Sequence, residues 1–243
     1  MRRLPVPAQT LVALVATGGA TCLLLRVPVV SRWSGLDLAA FLLLTAGIVL
    51  TEQFQIPIRF GSEHLNLSLT EALWVGALIL ARPSVVTMAV AGGVLLGQVT
   101  RRRALHKLVF NACQFLLALS AAQVVVAALR SPGVLRPMTF VAVGLGMVIY
   151  AAINAGLVAL VISLASGQPF QSVLLPPLPE NALHFAANTA LGLAVLVMWH
   201  AAPGAAPVLV FPLAMSFVAY RTLVGRFAKQ PEPVRETLLP VSA

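Results

Sequence analysis

Arg101-Arg102-Arg103-Ala104-Leu105-His106-Lys107-Leu108-Val109-Phe110-Asn111-Ala112-Cys113-Gln114 is the densest block of positive charge in an otherwise apolar chain. Apolar runs flank it on both sides. Clustered Arg and Lys between apolar runs resist translocation, so this block is expected to stay cytoplasmic and to set the orientation of the whole chain. It runs directly into a helix bearing Asn111 and Gln114, two amides at membrane depth.

Composition points the same way. Hydrophobic residues make up 59% of the 243 residues and charged residues 9%, against about 25% charged in a soluble domain. The net charge of +9 does not indicate nucleic acid. The basic residues fall between and after apolar runs, as the positive-inside rule requires. Cys22 and Cys113 both lie inside apolar runs and read as packing residues rather than a disulfide or metal pair. The opening Met1-Arg2-Arg3-Leu4-Pro5-Val6-Pro7 resembles the charged region of a signal peptide. No convincing cleavage site follows, so it reads as the start of a retained helix.

The apolar runs predict an all-α integral membrane protein, a bundle of about eight (six to eight) transmembrane helices. It forms a single transmembrane domain over residues 1–226, followed by a disordered cytoplasmic tail over 227–243. The segments are Gln9–Val27, Gly35–Thr51, Leu69–Ala81, Val85–Val99, Lys107–Leu129, Met138–Ser166, Glu180–Ala201 and Pro207–Leu223. Ser34 and Asp37 have capping-box spacing at the start of the second segment, and Ser68 and Glu71 at the start of the third. The third and fourth are short. Their 13–15 residues give roughly 20–23 Å against the ~30 Å hydrocarbon core, which suggests local thinning or a re-entrant pair. Gly93 and Gly97 form a GxxxG that permits close helix contact.

Residues 52–68 break the helical pattern. Ile56, Ile58 and Phe60 alternate, then Leu65, Leu67 and Leu69, with Gly61-Ser62 between, as in a short hairpin or extended lid at the membrane surface. The Gly167–Pro179 connection holds four prolines and no charge, and is expected to lie along the interface.

Eight spans with the N-terminus inside divide the 16 Lys and Arg very unevenly. About 11 fall inside (Arg2, Arg3, Arg59, Arg101, Arg102, Arg103, Lys107, Arg221, Arg226, Lys229, Arg235) and about 5 outside (Arg26, Arg32, Arg82, Arg130, Arg136), a bias that places both termini in the cytoplasm of a cell-membrane protein.

Polar groups at membrane depth are expensive and often functional. Glu180, Asn181, His184 and Asn188 open the seventh segment. Positions 180, 184 and 188 share one helix face, offering a carboxylate, an imidazole and an amide. They suit a polar-ligand site or a proton relay, or else simple helix–helix adhesion with Glu180 at the interface. Asn111 and Gln114 share a face of the fifth segment, and Asn154 follows Tyr150 by one turn in the sixth. These too read either as interhelical adhesion or as the lining of a ligand cavity. Glu71 reads first as the capping carboxylate. Arg101, Arg102, Arg103 and Lys107 read as a topology determinant or as a contact for anionic headgroups or an acidic partner.

His184 and His200 are 16 residues apart, roughly 24 Å along one helix, so they cannot share a metal. No HExxH, CxxC cluster, GxSxG or Walker pattern occurs. Neither a catalytic residue, a metal site nor a cofactor is expected, and the lack of paired, spaced acids or nucleophiles argues against an enzyme.

The run Arg101-Arg102-Arg103…His106-Lys107-Leu108-Val109-Phe110-Asn111-Ala112 resembles a recurring pattern in bacterial multi-helix membrane sensor regions. So do Tyr150-Ala151-Ala152-Ile153-Asn154-Ala155-Gly156-Leu157-Val158 and the closing Phe211-Pro212-Leu213…Ala219-Tyr220-Arg221. Such regions precede GGDEF diguanylate cyclase, HD-type phosphodiesterase, GAF or histidine kinase domains. The resemblance covers roughly residues 30–226. It implies a sensory input module for a small-molecule or lipidic ligand, signalling through its last helix to a cytoplasmic output domain. The chain departs from the pattern after Arg226, where 17 residues remain. The expectation is therefore a part of a longer protein, or a free-standing member acting through a cytoplasmic signalling protein.

Two other readings stay open. One is the substrate-binding subunit of a vitamin-type or other small-molecule transporter, with the 52–68 lid over its site and the small residues Ala16-Thr17-Gly18-Gly19-Ala20 docking a partner subunit. The other is an intramembrane enzyme acting on lipids, for which only Glu180, His184 and Glu71 stand ready.

Overall fold

A computed structural model of the chain describes residues 4–53, 56–60, 63–67, 69–101, 104–129, 136–202 and 204; for residues 54–68 and 180 it gives no side-chain detail. Segment eight (207–223), the tail, Ser68, Arg102 and Arg103 lie outside the described residues.

The chain begins with α1 (Val6–Leu24) and a short continuation α2 (Val27–Val30), then α3 (Gly35–Gln53). Two strands follow, β1 (Ile56–Phe60) and β2 (Glu63–Leu67), paired antiparallel with Ile56 opposite Leu67 and Phe60 opposite Glu63. Helices α4 (Thr70–Leu80), α5 (Pro83–Thr100), α6 (Leu105–Leu129), α7 (Pro137–Ser166), α8 (Phe170–Leu174) and α9 (Leu178–Ala201) complete the order. Among the described residues six helices are long and apolar enough to cross a membrane. They are α1 with α2, α3, α5, α6, α7 and α9, and they make the chain a membrane-embedded helical bundle.

Local sequence sets the helix ends. Pro83 and Pro137 stand at the first position of α5 and α7, where the missing N–H costs nothing and φ is already helical. Ser34 and Asp37 form the reciprocal cap of α3. The Ser34 backbone N–H donates to Asp37 Oδ2 at 2.8 Å, and the Asp37 N–H donates to Ser34 Oγ at 3.2 Å. Helix α7 stops at Gly167, whose φ of 75° is the left-handed turn that favours glycine at a helix end. The 167–179 connection holds the short helix α8, all of it at least partly exposed.

The fourth segment is longer than its sequence limits suggested. Helix α5 starts at Pro83 and has 18 residues, roughly 27 Å, because the turn at Ala81-Arg82 is tighter than expected. Of the third and fourth segments only the third, α4, is short, and protein encloses most of it, with Trp74, Val75, Ala77, Leu78 and Ile79 all buried. By contrast α1 and α3 leave most of their Leu and Val side chains uncovered, including Leu14, Leu36 and Leu43, a surface suited to lipid rather than water.

Glycines set how closely the helices meet. A Cβ on Gly93 would lie 2.7 Å from Ile48 Cβ, and one on Gly97 2.7 Å from Glu52 Cβ, so the GxxxG face of α5 is filled by α3. These two helices run parallel. Trp33 Nε1 donates to Ser84 Oγ at 3.1 Å and Arg82 pairs with Asp37 at 3.3 Å at one end. At the other end Gln53 Nε2 donates to Gly97 O at 3.1 Å. Gly18 and Gly19, read from sequence as a surface for a partner subunit, face α6 instead. A Cβ on Gly19 would lie 2.5 Å from Cys113 Cβ. Cys113 and Cys22 are both free thiols.

Candidate functional site

Helices α4 and α9 meet at Gly192, where a Cβ would lie 2.7 Å from both Ala72 O and Val75 Cβ. This close approach places the first turn of α4 against the His184–Asn188–Gly192 face of α9, three positions at successive i+4 steps.

Ser68, the other half of the expected capping box, lies outside the described residues. The N-cap of α4 is Leu69, with no side-chain cap, and the Glu71 side chain turns across to α9. Asn188 Nδ2 donates to Glu71 Oε2 at 3.0 Å and lies 3.0 Å from His184 Nε2. His184 Nε2 is 3.9 Å from Glu71 Oε2. The capping-box rule assumes a solvated helix start, whereas here a tertiary partner competes for the carboxylate. Asn188 is buried at 4% exposure. The Glu71 and His184 side chains keep 18% and 21%, so a solute reaching this end of the bundle can touch them.

One turn deeper on α4, Trp74 begins an aromatic cluster. Its Nε1 donates to Tyr150 Oη at 3.1 Å, and its ring meets the Tyr150 ring edge-on, 61° between planes and 6.5 Å between centroids. Tyr150 lies nearly parallel to Phe115 at 6.4 Å and to Phe185 at 6.2 Å. Tyr150, at 1% exposure, thus joins α4, α6, α7 and α9. Phe185 adjoins His184 in sequence.

The remaining residues singled out from sequence are dispersed. Glu180 belongs to α9, its side chain outside the described set. Asn181 is half-buried and donates its backbone N–H to Pro177 O at 3.0 Å. Asn111 donates from Nδ2 to Gln98 Oε1 at 3.2 Å, which ties α6 to α5 away from the Glu71 site. Gln114 Oε1 and Asn154 Oδ1 are buried without a partner among the described residues. Arg101 donates to Gln53 O at 3.2 Å, so this member of the basic block closes the C-terminal end of α3. Lys107 is exposed on the first turn of α6.

A second polar cluster therefore stands at the same end of the bundle. Gln53 donates to Gly97 O and to Thr100 Oγ1, and Glu52 is buried against Gly97. Thr70 Oγ1 donates to Thr51 Oγ1 at 3.0 Å, joining this end of α3 to the start of α4.

Sequence reasoning takes Glu71 first as a capping carboxylate and groups it with His184 only in the enzyme reading; Trp74, Phe115, Phe185 and Gly192 it misses. The signal available was a carboxylate inside a short apolar run with a Trp three residues on. Chemically the site offers a carboxylate, an imidazole and an amide beside aromatic walls. Two potential metal ligands stand together, and no group of three or more His, Cys, Asp or Glu forms among the described residues. Comparisons with family models, curated proteins and solved structures find no match for this chain.

Proposed function

We propose that the chain is a polytopic membrane sensor or ligand-binding module, with Glu71, His184 and Asn188 holding a small or lipidic ligand. The observation that carries this reading is the partly accessible carboxylate of Glu71, hydrogen-bonded across α4 and α9 where Gly192 brings them together. A ligand that prefers one spacing of α4 and α9 shifts the population of that spacing, and α9 passes it on to the residues beyond 201 and a cytoplasmic partner.

The same proposal fixes the topology. The chain crosses the membrane eight times, α4 and segment 207–223 included, with both termini in the cytoplasm. The Arg101 end faces inward, as the positive-inside rule favours. In this reading Glu71, whose neighbour Thr70 bonds Thr51, and the β1–β2 hairpin face the cytoplasm, the hairpin as a lid over a site reached from within the cell. A transporter subunit capturing solute from outside fits this placement less well. Its docking surface at Gly18 and Gly19 is also covered by α6.

The test is thermal unfolding of the full chain in lipid nanodiscs, with and without an extract of host-cell metabolites and lipids. A ligand at 100 times its Kd stabilises by about 2.7 kcal/mol. The expected result is stabilisation of the wild type that Glu71→Gln and Asn188→Leu abolish. Equal stabilisation of all three, or of none, contradicts the proposal. Proteins co-isolated in mild detergent then separate the roles. A kinase or cyclic-nucleotide enzyme supports the sensor, whereas an ATPase with a coupling membrane subunit supports the transporter.

A further inference from the structure

We infer that the Glu71 site takes a monovalent organic cation, a protonated amine or quaternary ammonium with an apolar body. This rests on the reading of the site as a ligand site and adds the ligand's chemical class.

The first ground is charge. Besides its own backbone N–H, Glu71 meets Asn188, a neutral amide, and His184, whose Nε2 stands 3.9 Å away. The guanidinium of Arg101, at the same end of the bundle, is directed to Gln53 O. Arg82 pairs with Asp37 at the opposite end. A carboxylate at membrane depth is costly until a cation meets it, and 18% side-chain exposure leaves Glu71 open to one supplied from outside the chain. Among the described residues, an anionic ligand would face that carboxylate with an amide and an imidazole to offset it.

The second ground is the wall beside it. Phe185 follows His184 directly. Phe185, Tyr150, Phe115 and Trp74 form one contiguous aromatic group, and Trp74 lies one turn from Glu71 on α4. Trp74 and Tyr150 are each 1% exposed, so the ring that can present a face beside the carboxylate is the half-buried Phe185, which attracts a cation through its quadrupole while covering apolar substituents. Strongly hydrated inorganic cations gain little from such a wall. A metal ion would need more ligands than Glu71 and His184 supply.

The experiment compares tetraphenylphosphonium with tetraphenylborate, ions of similar size and shape but opposite charge. Binding is measured by equilibrium dialysis against the full chain in nanodiscs, net of protein-free nanodiscs. Saturable binding of the phosphonium is expected, weakened about ten-fold or more by Glu71→Gln and about three-fold by Phe185→Leu. Glu71→Gln keeps the acceptor for Asn188 Nδ2, so the fold should survive, and its circular dichroism and melting curve check this. Phosphonium binding that Glu71→Gln leaves unchanged, preference for the borate, or no saturable phosphonium binding overturns the cation assignment. The host extract separates that failure from failure of the site itself. A stabilising component retained by a cation-exchange resin at neutral pH supports the assignment. One that passes through the resin, yet still needs Glu71, leaves the site standing and removes the cation.

Discussion

The Gln53–Arg101 cluster and the Glu71–Asn188 cluster sit at the same end of the bundle and draw on similar residue types, yet their hydrogen bonds end in different places. Gln53 donates to Gly97 O and Arg101 to Gln53 O. Both acceptors belong to the last turns of helices, α5 and α3, where carbonyls lack intrahelical partners. That network completes helix ends that would otherwise remain unsatisfied in an apolar setting. In the Glu71 cluster Asn188 and His184 meet the carboxylate across two helices, side chain to side chain, and they hold a carboxylate where lipid and protein disfavour one. Polar residues at membrane depth thus do two jobs here: one set completes helix ends, the other joins two helices through a carboxylate.

Substitutions can break or sharpen this contrast. Trp74→Ala should have the largest effect. It opens a cavity at the point where four helices meet and leaves Tyr150 without its donor, for a loss of about 3–5 kcal/mol in denaturant unfolding of the reconstituted chain. Gly192→Val comes next. It forces a side chain against Ala72 O and Val75, which should cost about 1–3 kcal/mol and remove extract-dependent stabilisation by spreading α4 from α9. Gln53→Ala should lose about 0.5–1.5 kcal/mol in the same unfolding assay, with ligand-dependent stabilisation retained. Glu71→Gln should shift unfolding least, by about 0.5 kcal/mol or less or toward greater stability, since it removes a charge that the bundle pays to hold, while ligand-dependent stabilisation disappears.

Much of the architecture is legible in the sequence, for reasons particular residues make plain. Apolar runs of sufficient length mark the six long helices, because lipid rewards only that composition. Pro83, Pro137 and Gly167 mark ends because their backbone constraints are local. Ser34 and Asp37 cap α3 as their spacing suggests. Tertiary choices are less legible. The spacing of Ser68 and Glu71 matches the same rule, but Glu71 meets Asn188, 117 residues away, and no local pattern reports a partner at that distance. Gly93 and Gly97 announce a close contact without saying that α3 makes it. Gly18 and Gly19 look free for a second protein until α6 is placed against them. His184, Asn188 and Tyr150 were visible as polar groups within apolar runs. Trp74 and Phe185 were not, because an aromatic residue in such a run looks the same whether it faces lipid or lines a site.

The most direct test of the contrast is the unfolding free energy of Glu71→Gln beside that of Gln53→Ala, both in nanodiscs without added ligand. A site residue and a structural residue should separate: Gln53→Ala falls by about 1 kcal/mol while Glu71→Gln matches or exceeds the wild type. If Glu71→Gln is the less stable of the two, Glu71 and Asn188 serve to hold α4 and α9 together, and the ligand-site account is contradicted.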